Sequence, residues 1–78
     1  SLASLSEFIT NHLDEPEVRG VVVQNLVDFL RYHISPYNRQ DLPVSFVGSI
    51  AWHYQDELRE AAERLGFRLG TVLKTPLA

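Results

Sequence analysis

The 78-residue chain contains no cysteine and no methionine. Without cysteine, no disulfide can staple so short a chain. That absence fits a reducing compartment, and a cytoplasmic setting is expected. Basic residues are few: 7 Lys plus Arg stand singly against 10 Asp plus Glu, for a net charge of −3. A nucleic-acid interface wants a basic stripe, so no nucleic-acid partner is expected. No apolar run approaches the roughly 20 residues that cross a bilayer, so no membrane span is expected. There is no Gly-x-Ser-x-Gly elbow, which removes the hydrolase reading of Ser35, Ser45 and Ser49. What remains is a chain with 45% apolar and 22% charged residues. Its apolar residues recur along its length, so one small globular unit is expected. With no initiating methionine and a Thr75-Pro76-Leu77-Ala78 ending that carries no stop signal for the preceding strand, the chain reads as a piece of a longer protein.

Hydrophobic spacing divides it into two segments. Residues 1–36 read as helical. In "SLSEFITNHL", Ser4 and Glu7 have capping-box spacing, and Leu5, Phe8, Ile9 and Leu13 share a helical face ending near Leu13. The next helix is expected from Pro16 to His33, with Asp14 as cap, Pro16 in the first turn and Ser35-Pro36 as the stop. Its buried face is expected to hold Val18, Val22, Leu26, Phe29 and Leu30, widened by Val21. The run Val21-Val22-Val23 and Gly20 argue against a helix, and length and capping argue for it.

Residues 37–78 read as a strand, a helix and a strand. "PYNRQDLP" is a loop and "VSFV" a short strand opened by Pro43. The helix "SIAWHYQDELREAAERL" would bury Ile50, Tyr54, Leu58, Ala61, Ala62 and Leu65. Asp56, Glu57, Glu60 and Glu63 form its solvated side, Glu60 and Arg64 an i, i+4 pair, and Gly66 its C-terminal cap. "FRLGTVLKT" is the second strand, with Phe67, Leu69, Thr71 and Leu73 alternating. Such a succession points to a parallel βαβ unit. Two parallel strands make no independent sheet, so a free edge is expected to fray or to pair with a second copy, as a homodimer.

The chemistry concentrates at the junction "FVGSIAWHY". In an open parallel sheet, ligands bind beyond the carboxyl ends of strands. Gly48 ends the first strand there and allows close approach to the backbone. Ser49 can cap the helix that follows, and Ile50-Ala51-Trp52 leave its dipole unanswered by any acid. The same Gly-Ser is also a frequent strand-to-helix turn that binds nothing. His12, His33 and His53 lack metal-ligand spacing, and no metal site is expected. His53 is expected in packing or a hydrogen bond, with no partner for general-base work, and Trp52 in packing.

From Pro43 to Ala78 the chain resembles the C-terminal part of bacterial N-acetylglucosamine-kinase-like proteins. These group with the BadF/BadG/BcrA/BcrD ATPases in the sugar kinase and actin-like ATPase superfamily. The match is carried by Phe46-Val47-Gly48-Ser49-Ile50-Ala51, continued by Trp52-His53-Tyr54, then by Leu69-Gly70 and Lys74-Thr75-Pro76. The upstream helices are similar to the segment preceding that motif. The resemblance implies a fragment of a ribonuclease-H-like lobe, two N-terminal helices followed by a parallel βαβ unit. It implies ATP as cofactor, with Mg and an amino sugar bound by the intact protein. Gly48 and Ser49 would lie against the adenosine, with Ala51 keeping the helix start small. Neither Asp-Gly-Gly-Thr nor Gly-Thr-Gly-Ser, the family's phosphate loops, occurs in the chain, so no catalytic residue is assigned to it. Two alternatives accompany this reading: a non-catalytic interaction or regulatory module using Phe46, Trp52 and Tyr54, and an ATPase activator of an electron-transfer enzyme.

Overall fold

A computed structural model of the chain describes the backbone of residues 2–37 and 41–76 and the side chains of residues 7–36 and 41–76. The order is α1 (Leu2–Asn11), α2 (Pro16–His33), a 3₁₀ turn (Ser35–Tyr37), β1 (Pro43–Val47), α3 (Ser49–His53), α4 (Gln55–Leu65) and β2 (Arg68–Leu73). It is a small α/β unit whose two strands run parallel.

α1 begins at Leu2, so Ser4 lies inside the helix and not at its cap. The side chains of Ser4 and Leu5, and loop residues 38–40, lie outside the described residues. The helix ends at Asn11, two residues before the expected Leu13, and Phe8 is exposed. The turn to α2 is tied by a pairing of the His12 imidazole with the Glu15 carboxylate.

α2 spans the expected Pro16–His33. Its cap is Glu15 in extended conformation, and not Asp14. Pro16 fits because its ring presets a helical φ and its missing N–H has no helical partner to lose. At the far end the Ile34 N–H donates to the Leu30 carbonyl at 2.8 Å, and Ser35-Pro36 turns the chain away. The buried face is Val23, Val27 and Leu30. The expected face is therefore rotated: Val21 and Phe29 are exposed and Val18, Val22 and Leu26 only half-buried.

α2 packs on α4, and the core joins Val23, Val27 and Leu30 to Leu58, Ala61, Ala62 and Phe67. Each large side chain buried there contributes about 1.5–3 kcal/mol. An ionic clamp sits beside this contact. The Arg19 Nη1 donates to Glu60 Oε1 at 2.6 Å, and its Nε stands 3.5 Å from Glu57 Oε2. Glu57 is buried, contrary to the solvated face expected for it. It occupies the edge of the stripe below Ala61, where Arg19 of α2 covers it. The expected Glu60–Arg64 pair forms at 2.9 Å. The hydrogen bond from Arg19 holds the Glu60 carboxyl below its ordinary range and raises the guanidinium above its own.

The single helix expected over 49–65 breaks at Tyr54, which has φ −105° and ψ 29°. The Gln55 side-chain amide donates to the Trp52 carbonyl at 3.0 Å, supplying a donor at the interrupted turn. The break turns Ile50 out to 72% exposure, so it leaves the buried stripe. α4 ends as expected at Gly66, which is left-handed at φ 80°. The Phe67 N–H reaches back to the Ala62 carbonyl at 2.9 Å and closes the end.

β1 and β2 pair Pro43 with Arg68, Val44 with Leu69, Phe46 with Val72 and Val47 with Leu73. One residue, Ser45, thus faces two, Gly70 and Thr71, and β2 carries a bulge. The bulge cancels the expected alternation: after Phe67 and Leu69, exposed Thr71 breaks the phase and half-buried Val72 opposes Phe46. Val44, Phe46 and Leu69 pack on the core, while Pro43, Ser45 and Val47 on the other side of β1 are exposed.

Candidate functional site

The carboxyl end of β1 runs directly into α3 through Gly48. The Gly48 N–H donates to the Leu73 carbonyl of β2 at 2.9 Å, and its own carbonyl accepts from Trp52 N–H at 3.0 Å. Sheet and helix thus fix the bend from both sides. Its φ of 140° and ψ of 158° are open to glycine and strained for any side chain. A Cβ placed there meets no atom within 4 Å, so glycine is demanded by conformation and the space beside the backbone is open.

The sequence-derived residues do not all converge. Gly48 is the cap position of α3, so Ser49 is the first helical residue and not the cap. Ser49 is exposed and lines a cleft of about 380 Å³ between α1 and α3, with Ile50, His53 and Tyr54 on its side and Glu7, Thr10 and Asn11 opposite. Ala51 lines an adjoining apolar hollow of about 260 Å³ with Leu26, Phe29, Phe46 and Leu58, and Ile50 and Tyr54 line both spaces. α3 is only five residues long, so the dipole expected of a long helix is not aligned on this junction. The acidic first turn belongs instead to α4, at Asp56 and Glu57.

His53 joins the two walls of the cleft: its Nε2 is 3.0 Å from the Thr10 hydroxyl. Its ring stands edge-on to Tyr54 at 5.0 Å between centroids. Trp52 is 41% exposed and lies outside the core, not in the packing expected of it. Among the described residues no three His, Asp or Glu side chains converge on a metal position. Among the same residues no helix is long and apolar enough to cross a membrane. Sequence reasoning missed the α1 wall. Its signal in the sequence is the polar stripe Glu7, Thr10, Asn11 at i, i+3, i+4.

No protein-family model matches the chain, and no curated protein matches it. A solved structure does. Over 96% of its length the chain is similar to a protein from Porphyromonas gingivalis provisionally described as an N-acetylglucosamine kinase, with 44% identity and a TM-score of 0.89. The chain spans about a quarter of that protein, 26% of its length. The N-acetylglucosamine-kinase-like resemblance is expected over nearly the whole chain, upstream helices included, and the similarity covers 96% of it.

Proposed function

We propose that this chain forms the adenosine-side wall of the nucleotide site in an ATP-dependent, N-acetylglucosamine-kinase-like protein, as part of a ribonuclease-H-like lobe. The observation that carries the reading is the bend at Gly48: a backbone at the carboxyl end of a parallel strand, with nothing within 4 Å of its missing side chain. Gly48 and Ser49 offer main chain and a hydroxyl to the nucleoside. Ala51 contributes indirectly, by packing α3 against the core. ATP supplies the transferred phosphoryl group when bound. Holding the phosphates, Mg²⁺ and an amino sugar falls to the remaining three quarters of such a protein. Use of ATP implies a cytoplasmic setting.

The test uses the full-length protein with ATP titrated calorimetrically. Gly48→Ala adds backbone strain without bulk, and Gly48→Phe adds both. The alanine variant is expected to keep ATP affinity within about fivefold, and the phenylalanine variant to lose roughly 100-fold, about 2.7 kcal/mol. Equal ATP affinity in both variants and the parent overturns the proposal. A second reading, a non-catalytic interaction module, is favoured by the exposure of Phe29, Ile50 and Trp52. A full-length protein that binds no ATP and no ADP would select it.

A further inference from the structure

Residues 49–65 carry one apolar stripe, Ile50, Tyr54, Leu58, Ala61, Ala62 and Leu65, at the spacing of a single helix. Neither glycine nor proline interrupts it. The helix breaks at Tyr54 all the same. Without those residues, a sharp break arises where a side chain enters the ladder of backbone bonds. Here Gln55 enters it, its side-chain amide donating to the Trp52 carbonyl at 3.0 Å. In an unbroken helix that carbonyl would accept from the Asp56 N–H. Such a conflict between local pattern and observed shape marks functional sites more often than ordinary ones.

The break leaves an apolar side chain and an apolar space side by side. Ile50 is 72% exposed, and no residue of α3 is buried. The hollow of about 260 Å³ that Ile50 borders is walled by Phe29 of α2, Phe46 of β1 and Leu58 of α4. An apolar lining offers water few partners. Straightening at Tyr54 would bring Ile50 into line with Tyr54 and Leu58, which both line the hollow. The elements on either side of α3 are fixed. Leu58, Ala61 and Ala62 anchor α4 in the core, and the Gly48 N–H is bonded to the Leu73 carbonyl. At Gly48 no side chain resists a change of direction. The Gln55 bond to Trp52 and the Thr10 bond to His53 join exposed groups, for which water competes.

We infer that α3 is a two-position element pivoting between Gly48 and Tyr54, with Ile50 outside as described here and inside the apolar hollow when α3 and α4 join as one helix. Without ligand the outer position prevails, held by Gln55 and by the tie from Thr10 to His53. A ligand against the main chain at Gly48 and Ser49 covers the open side of α3 and favours the inner position, so the hollow responds to occupancy of the bend. The ligand does this by meeting the first turn of α3 better in one position than in the other. Ser49 lies in that turn beside Ile50 and moves with it. This coupling rests on the nucleotide reading above, whereas the two positions of α3 stand without it.

The experiment is methyl NMR on the full-length protein labelled at isoleucine, with calorimetry of ATP binding. The Ile50 methyl resonance is expected near its solvent-exposed position without ligand. Gln55→Ala and Thr10→Val each remove one restraint and should move it upfield, toward the Phe29 and Phe46 rings. ATP should move it further the same way. Ile50→Ser cannot settle in the hollow and is expected to weaken ATP binding roughly fivefold, while Ile50→Val should stay within about twofold. A methyl that keeps one position in the parent, in both variants and with ATP bound overturns the inference. If Gly48→Phe still abolishes ATP binding in that case, the adenosine-wall reading stands alone. Movement in Gln55→Ala and Thr10→Val in a protein that binds no ATP overturns the nucleotide reading and the coupling, and supports the two positions of α3.

Discussion

The Ser45 hydroxyl accepts a hydrogen bond from the Thr71 N–H at 3.1 Å, across the point where β2 carries its extra residue. The bond gives the bulged amide a partner that the strand ladder cannot supply. It also sets the register downstream, through which the Leu73 carbonyl meets the Gly48 N–H. A side-chain bond in the middle of the sheet thus helps aim the bend at its end. Gly70 completes the arrangement, since a Cβ there would lie 2.7 Å from Ser45 Oγ and 3.2 Å from Pro43 Cβ.

Gly70→Ala is therefore expected to destabilise by about 1–3 kcal/mol, because Ser45 can give way only by surrendering Thr71 and the Pro43 ring is stiff. Ser45→Ala alone is expected to cost about 0.5–1.5 kcal/mol. With both changes the oxygen is gone and part of the clash with it, so the double variant should be less destabilised than the sum. Urea unfolding in a double-mutant cycle measures this, and strict additivity refutes the coupling.

Arg19 spans Glu57 and Glu60, and only Glu57 is buried. Arg19→Met leaves that carboxylate without its cation and is expected to lower the thermal midpoint. Changing Glu57 to Leu in the same background should recover much of the loss. Arg19→Lys supplies one compact charge where a fork reaches two acids, and an intermediate stability is expected. Thermal unfolding of the three variants orders them.

The Arg19 hydrogen bond lowers the Glu60 carboxyl from its ordinary value of 4.5. The unfolded chain then takes up a proton at higher pH than the folded one, so stability rises with pH through that window. The contribution is complete above the ordinary carboxylate value and is lost as pH falls through the folded one. Glu60→Gln should flatten the acid limb of the stability curve below about pH 5. An unchanged limb counts against the pairing.

Two isolated truncations separate the observed core from the periodicity. Leu30→Ala removes a side chain 1% exposed and is expected to cost about 2–5 kcal/mol. Ile50→Ala touches a residue 72% exposed and should change stability by less than about 0.5 kcal/mol. A large loss at Ile50 would restore the unbroken helix over 49–65.

How much of the site was legible follows the same division. Gly48 and Ser49 announced themselves because a glycine between an apolar strand and a helix is a local feature. The place of Ala51 was not legible: the break at Tyr54 leaves α3 as little more than one turn, and Ala51 packs against the core. Glu7, Thr10 and Asn11 became visible only when α1 lay against α3, forty residues later in the chain.

By itself the sequence determined the bounds of α2, the cap at Gly66 and the order of a strand, a helical stretch and a strand, though not the break at Tyr54. Those features depend on interactions within a turn or two, such as the preset φ of Pro16 or the left-handed freedom of Gly66. The tertiary structure alone decided which side of α2 is buried, because Val21, Val22, Val23, Leu26, Val27, Phe29 and Leu30 supply apolar surface over too wide an arc to set its rotation. It also decided the burial of Glu57, the bulge opposite Ser45 and the second wall of the cleft. Each of these needs a partner distant in the chain, and no periodicity in a single segment encodes where that partner will lie.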